Sequence, residues 1–313
     1  MAEPALFPTA EGVAAAVARI DPVFLNTPIW DSPVLDDALG ARLVFKDETD
    51  NPIRSFKGRG ATNFVAARQP GGALVCGSAG NFGQGLAWAA RGRGLPLIVF
   101  AAETAVVSKV EAMRRLGAEV RLFGRDYDAA KAEAAAYAAR EGLTYVEDGA
   151  DPAIAEGAGT LALEMTEAED AFDAVLVPLG NGALAAGVGT WFRHVSPSTW
   201  VILVAAAGAP AMADAVRTGR IEVAGGVSTI ADGIAVRAPI PYAVEACRRI
   251  ADEVLLVDDR SILGAMALVR DHLDIVVEPA GAAGLAVVVA DPDRWLGMKL
   301  AIPLCGGNVD EPL

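Results

Sequence analysis

The chain has 313 residues, 53% of them hydrophobic but only 6% aromatic, and a formal net charge of -14. That acidity argues against a nucleic-acid or anionic-membrane partner, but not against a small anionic ligand held by local dipoles. Three scattered cysteines (Cys76, Cys247, Cys305) and two histidines (His194, His272) exclude a disulfide framework and a His-rich metal centre.

In chain order, residues 1–10 carry no basic stretch leading into an apolar core, so no secretory leader is expected. Leu74-Val75-Cys76 predicts a strand that runs into a glycine loop and a helix from Gln84 to Arg93. Leu97 to Phe100 predicts a buried strand, Ser108 to Leu116 an amphipathic helix and Ala118 to Leu122 a strand. Asp128 to Glu141 is helical by its alanines, and Thr144 to Val146 is extended. After the joint Asp148-Gly149-Ala150-Asp151-Pro152 the same alternation resumes. Ala174 to Pro178 is a strand, Ala183 to His194 a helix, and Val201 to Val204, Glu253 to Val257 and Lys299 to Leu304 are further strands. His194 closes its helix where a cation suits the dipole. The apolar run from Leu285 to Ala290 is too short to span a bilayer, so a soluble cytoplasmic protein without a membrane partner is expected. Alternating strands and helices predict an α/β protein of two units, each an open, mainly parallel twisted sheet flanked by helices.

Three loops and one strand end carry chemistry. Ser55-Phe56-Lys57-Gly58-Arg59-Gly60-Ala61 places a lysine between an aromatic residue and glycines that let a bulky ligand approach the backbone. An amine shielded from water can form a Schiff base with an aldehyde. Alone, this heptapeptide reads better as an ordinary surface lysine. The second loop, Gly77 to Gly85, joins a strand to a helix, where unpaired amides beside Ser78 and Asn81 suit a carboxylate. The third, Gly180-Asn181-Gly182-Ala183-Leu184-Ala185-Ala186-Gly187, exposes consecutive amides at a helix start and suits a phosphate. It lacks the Gly-Lys-Ser/Thr of a P-loop and the spacing of the dinucleotide fingerprint. Cys305-Gly306-Gly307-Asn308 follows the last strand, at the end where open α/β sheets bind ligands. An amine, a phosphate cradle, a carboxylate nest and a ring-nitrogen partner are what pyridoxal phosphate and an amino acid need.

On these segments, together with Thr229-Ile230-Ala231-Asp232-Gly233 and Glu278-Pro279-Ala280-Gly281-Ala282, the chain resembles the fold-type II class of pyridoxal phosphate enzymes, the tryptophan-synthase-β-like class. Within it, threonine/serine dehydratases are the nearest in wording, and the resemblance runs from Thr27-Pro28 to Asn308. It implies that Lys57 carries the Schiff base and, once displaced by substrate, takes the α-proton. It implies that Phe56 and the backbone around Gly233 sandwich the ring, and that Asn81 meets the ring hydroxyl. Gly180, Asn181, Gly182, Ala183 and Leu184 would bind the phosphate, with Cys305 beside the ring nitrogen and Glu278 among the cofactor contacts. Ser78 and the amides of Ala79, Gly80, Asn81 and Phe82 would hold the substrate carboxylate. The implied reaction is β-elimination from a β-hydroxy L-amino acid, giving a 2-oxo acid and ammonia. The implied arrangement is a homodimer with the cofactor between a larger domain, residues 1–68 and 149–313, and a smaller one, residues 69–148.

The chain departs from the pattern in places. Ala79 stands where serine racemases carry a serine base, which disfavours racemisation. Residues 205–212 lack the carboxylates of metal-binding relatives, so no metal is expected there. Asn181 replaces a glycine and Phe82 a histidine, while Glu147-Asp148-Gly149 and Glu156-Gly157-Ala158-Gly159-Thr160 differ from dehydratase wording, the latter being reminiscent of threonine synthases. With the sequence ending at Leu313, no C-terminal regulatory domain and no feedback inhibition are expected. β- or γ-replacement, as in cysteine or threonine synthase, and elimination from another β-substituted amino acid stay open. A ligand sensor without chemistry is disfavoured by Lys57, Asn81 and Cys305 occurring together. Asp126, Asp128 and Glu141 read as a solvated helix face, and Trp30, Trp88, Trp191, Trp200 and Trp295 as core or interface packing.

Overall fold

The computed structural model describes residues 6–69 and 71–309. Residues 1–5 of the segment inspected for a leader, and residues 310–313 at the chain end, lie outside that description. Short apolar runs form ten strands among the described residues: β1 (Ile29–Asp31), β2 (Arg42–Asp47), β3 (Leu74–Gly77), β4 (Leu97–Ala101), β5 (Glu119–Leu122), β6 (Thr144–Tyr145), β7 (Ala174–Pro178), β8 (Trp200–Ala206), β9 (Glu253–Val257) and β10 (Lys299–Leu304). They build a six-stranded sheet in the order β1-β2-β10-β7-β8-β9 and a four-stranded sheet in the order β5-β4-β3-β6. Among these strands only the β1–β2 pairing is antiparallel. Strands β3, β4 and β7 are buried along their whole length, because helices cover both faces of a parallel sheet. This is the expected α/β architecture.

The strand orders decide where a ligand can sit. In the larger sheet β8 and β9 lie on one side of β7, and β10 and β2 lie on the other. In the smaller sheet β3 separates β4 from β6. A crevice opens outside the strand carboxyl ends where the winding direction reverses. The loops after β3, β7 and β10 all leave from such reversals.

The wealth of alanine and glycine has a packing cause. A Cβ on Gly187 would stand 1.9 Å from the Ala155 carbonyl oxygen, and one on Gly159 would stand 2.7 Å from that of Gly187. Helices Pro152–Ala168 and Ala183–Val195 therefore meet backbone to backbone, which leaves no space for aromatic side chains between them.

Arg59, on helix Lys57–Arg68, is wholly buried. Its Nε donates to Glu48 Oε2 at 2.8 Å, its Nη1 to Glu164 Oε1 at 2.6 Å and its Nη2 to both glutamates. Thr160 accepts the one remaining hydrogen, from Nη1, Thr27 Oγ1 shares Nη2 at 3.1 Å, and Lys46 Nζ lies 2.6 Å from Glu164 Oε2. Two cations thus balance two carboxylates inside the protein. Burial alone would depress the Arg59 pKa, but the two glutamates carry it above its ordinary value. Burial likewise pushes Glu164 up, yet hydrogen bonds and charge from Arg59 and Lys46 hold it below the usual range. The cluster ties β2, the helix bearing Lys57, helix Pro152–Ala168 and the segment at Thr27 to one point. Arg59→Met leaves two buried carboxylates facing one ammonium, and is expected to cost about 3–5 kcal/mol of unfolding free energy by urea titration.

Candidate functional site

Lys57 is the first residue of its helix, and the loop before it is stitched to the end of β10. Phe56 N–H donates to the Cys305 carbonyl at 3.1 Å, and Ser55 bridges to Gly306. The Lys57 side chain is 16% exposed and its Nζ lies 4.7 Å from the Phe56 ring centre and 5.9 Å from that of Phe82. Nζ pairs with Asp148 Oδ2 at 2.6 Å. The amine faces a cavity of about 560 Å³ rather than bulk water. That volume is within the range of sites for a cofactor with a small substrate.

The loop after β3 forms one wall, with Ser78, Ala79, Gly80, Asn81 and Phe82 all lining the cavity. Ser78 Oγ accepts from the Gly80 and Gly83 amides at 3.2 and 2.8 Å. The Gly80 amide, expected among those open to a carboxylate, is therefore already engaged; the Ser78 hydroxyl hydrogen remains to donate. Asn81 Nδ2 donates to Glu278 Oε1 at 2.8 Å, and its Oδ1 accepts from Asn308 Nδ2 at 2.9 Å. Glu278 Oε2 accepts from the Asn308 amide at 3.2 Å. A Cβ on Gly306 would fall 2.5 Å from Glu278 Oε1, so the glycine after Cys305 makes room for this carboxyl. Burial pushes Glu278 up to about 7, against the Asn81 hydrogen bond that pulls it down.

The loop after β7 supplies the opposite wall through Gly180, Asn181, Gly182, Ala183 and Leu184. Gly182 has φ +90°, a left-handed conformation that favours glycine, and no side chain caps the helix that follows. Its first amides point their dipoles outward for an anion. A Cβ on Gly180 would meet the Gly233 carbonyl oxygen at 2.8 Å, so the two backbones approach there too closely for any side chain on Gly180. Asn181 hydrogen-bonds Tyr127, whose phenol is pushed up by burial and by the nearby Glu147 and Asp148 carboxylates, and stays protonated. Cys305 is buried with Sγ 3.9 Å from the Ala280 carbonyl. Burial, with Glu278 adding, pushes its thiol up, so it stays neutral.

Every anticipated site residue thus lines one cavity, but several of its groups were not anticipated. Lys109 pairs with Asp232, and Arg237 with Asp128 and Asp126, across the mouth. Asp126 is 54% exposed, as a solvated face requires, while it caps helix Tyr127–Glu141 through Ala129; Asp128 departs from that expectation, being half-buried and paired with Arg237. Glu141 does fit that description, paired only with Arg140 at the surface. Lys109 and Arg237 have no local signature, whereas Asp232 stands within the Thr229–Gly233 motif. Trp295 is core, but Trp30 and Trp200 are 44% and 54% exposed. Among the described residues, no group of three or more His, Cys, Asp or Glu side chains could hold a metal ion.

The donor set suits pyridoxal phosphate: an amine for the aldehyde, an uncapped helix start for the phosphate, and a cavity whose walls carry the Phe56 ring and hydrogen-bonding groups at Ser78, Asn81 and Cys305. A family model described as pyridoxal-phosphate dependent enzyme matches residues 20–306. An L-threonine ammonia-lyase of Thermotoga maritima is 34% identical over 307 residues, covering 96% of this chain and 76% of that protein. A beta-hydroxyaspartate dehydratase of Paracoccus denitrificans is 33% identical, with 97% of each chain covered. The crystal structure of a threonine deaminase from T.th. superposes with TM-score 0.86 at 32% identity, covering 97% of this chain and 99% of that one.

The Glu278 shift has a sign that can be checked without substrate. Between pH about 4.5 and about 7 the folded protein holds a proton on Glu278 that the unfolded chain has released, so stability falls as pH rises through that window. The loss amounts to roughly 3 kcal/mol for a shift of this size. Urea unfolding of the cofactor-free protein at pH 4.5 and 7.5 is expected to show this fall for the wild type and a smaller one for Glu278→Gln.

Proposed function

The chain belongs to the pyridoxal-phosphate dependent enzyme family, and from that premise we propose that it is a lyase acting on a β-hydroxy L-amino acid, threonine or serine: the β-hydroxyl leaves as water, and the enamine so formed takes up water again as it breaks down to a 2-oxo acid and ammonia. The observation that carries the reading is the Lys57 amine, held inside the cavity between an uncapped helix start and the Cys305–Glu278 edge. Identity above 30% to curated threonine ammonia-lyases over most of the chain supports the same reaction.

Pyridoxal phosphate supplies an electron sink that makes the substrate's α-hydrogen acidic. Lys57 would supply the amine for the cofactor aldehyde and, freed from it, the Nζ that takes the α-proton. Gly180 to Leu184 would hold the phosphate through amides at the helix start. Phe56 and Gly233 would bound the ring and Asn81 would meet its hydroxyl, while Glu278 holds Asn81 in place. The Cys305 thiol, neutral and a weak donor, would offer a ring nitrogen no fixed negative charge, which suits elimination better than storage of a carbanion. Ser78 and the amides near Asn81 and Phe82 hold the substrate carboxylate, leaving its α-hydrogen to Lys57.

A cytoplasmic homodimer is part of this reading, supported by three buried free cysteines, which suit a reducing compartment, and by exposed Trp30, Trp200 and Leu296, which a second copy would cover. The division at residues 69–148 is kept, supported by all four strands of the smaller sheet falling inside it.

L-threonine or L-serine alone is expected to yield 2-oxo acid and ammonia without a second substrate. Lys57→Ala is expected to lose the borohydride-sensitive Schiff-base absorbance and to drop kcat by about a thousandfold or more. Steady-state turnover retained in that variant removes the assignment.

A further inference from the structure

Two adjacent acids follow β6, and they are used differently. Glu147 is satisfied at both oxygens, Oε1 by Lys131 Nζ and Oε2 by the Tyr145 hydroxyl, each at 2.7 Å. Asp148 is only half satisfied. Its Oδ2 pairs with Lys57 Nζ, while its Oδ1 is buried without a hydrogen-bond partner. The side chain is 6% exposed and lines the same cavity as Lys57.

The backbone fixes Asp148 there. Gly149 has φ +83°, and a Cβ on it would lie 2.0 Å from the Asn181 carbonyl oxygen. The residue after Asp148 is thus pressed against the phosphate-side loop, which fixes the backbone from which the carboxylate extends into the cavity. A buried carboxylate oxygen with no donor is unfavourable, and such an arrangement persists where something else supplies the hydrogen. Lys57 does not relieve this: its Nζ faces Oδ2, and bonded to an aldehyde carbon it would carry at most one hydrogen, so Oδ1 is the oxygen left to accept from something else.

Resting on the reading of the site as a β-eliminating lyase, we propose that Asp148 is a specificity-determining residue whose carboxylate accepts a hydrogen bond from the substrate's β-substituent. The substrate class it selects is an L-amino acid whose leaving group carries a hydrogen, a β-hydroxyl or a β-ammonium, over one whose leaving group carries none. A role confined to neutralising Lys57 predicts something else, because the lysine serves every substrate alike.

The test compares L-serine with β-chloro-L-alanine, which eliminates from the same α-carbon without a hydrogen on the leaving group. In the holoenzyme, Asp148→Ala is expected to lower the serine-to-chloroalanine ratio of kcat/KM by about tenfold or more, the range of a hydrogen bond to a charged group. Asp148→Asn, which keeps the shape and one acceptor oxygen, is expected to fall between wild type and Asp148→Ala, and it carries the comparison if the alanine variant fails to load cofactor. Schiff-base absorbance verifies loading in each variant. Equal losses on both substrates, or an unchanged ratio in the loaded variants, overturn the proposal. Failure of the underlying reading looks different: the loaded wild type then eliminates from neither substrate, and both ideas fall.

Discussion

The buried charge cluster around Arg59 is the constraint on which the site depends. Removing two cations and two carboxylates from water is unfavourable unless nearly every hydrogen and lone pair is used, and here Arg59 spends its donors on two glutamates and two threonines. Such a cluster tolerates little displacement, because each short ion pair depends on the others. Lys57 lies two residues earlier on the same helix, so the anchor of its side chain is fixed to the same point. The flexible part is the four-carbon stem. A rigid base with a mobile tip suits the role proposed for this amine, which would bond a cofactor, leave it, and act on a hydrogen nearby.

The remaining geometry follows from where the two sheets reverse. Loops leaving β3, β7 and β10 converge because the strand orders put their carboxyl ends at the crevices. Their glycines then decide how close they come: Gly180 against Gly233, Gly149 against Asn181, and Gly306 against Glu278 are contacts that a methyl group would break. The chemistry at the ring edge is correspondingly restrained. A neutral thiol at Cys305 and a carboxyl at Glu278 that titrates near neutrality leave little fixed negative charge where a ring nitrogen would sit.

Much of this was legible because it is local. Glycines at loop positions announce close approach, apolar runs of strand length announce a parallel sheet, and the lysine, cysteine and asparagine sit in short motifs. The rest is not local. Lys109 meets Asp232 over 123 positions and Arg237 meets Asp128 over 109, and neither pair leaves a trace in its own neighbourhood. Asp128 carried the composition of a solvated helix start and is half-buried because Arg237, from a connecting segment of the larger sheet, pairs with it. Arg59 was visible in a motif, but its complete burial was not, since arginine is usually exposed. Asp148 lay in a Gly/Asp/Pro stretch that reads as a joint, and only its contact with Lys57 gives it another meaning.

The ion pairs at the mouth differ in kind from the cluster beneath Lys57. Asp232 is 61% exposed and Arg237 33%, so solvent and salt screen both pairs through their exposed partner, and each contributes little. Contacts of that size orient the walls of the cavity without locking them. A site that must admit an amino acid, exclude water during proton transfer and release a 2-oxo acid needs strong electrostatics at its base and weak electrostatics at its rim. The chain distributes its charges that way: the fully paired quartet is sealed in the core, and the easily broken pairs are at the opening.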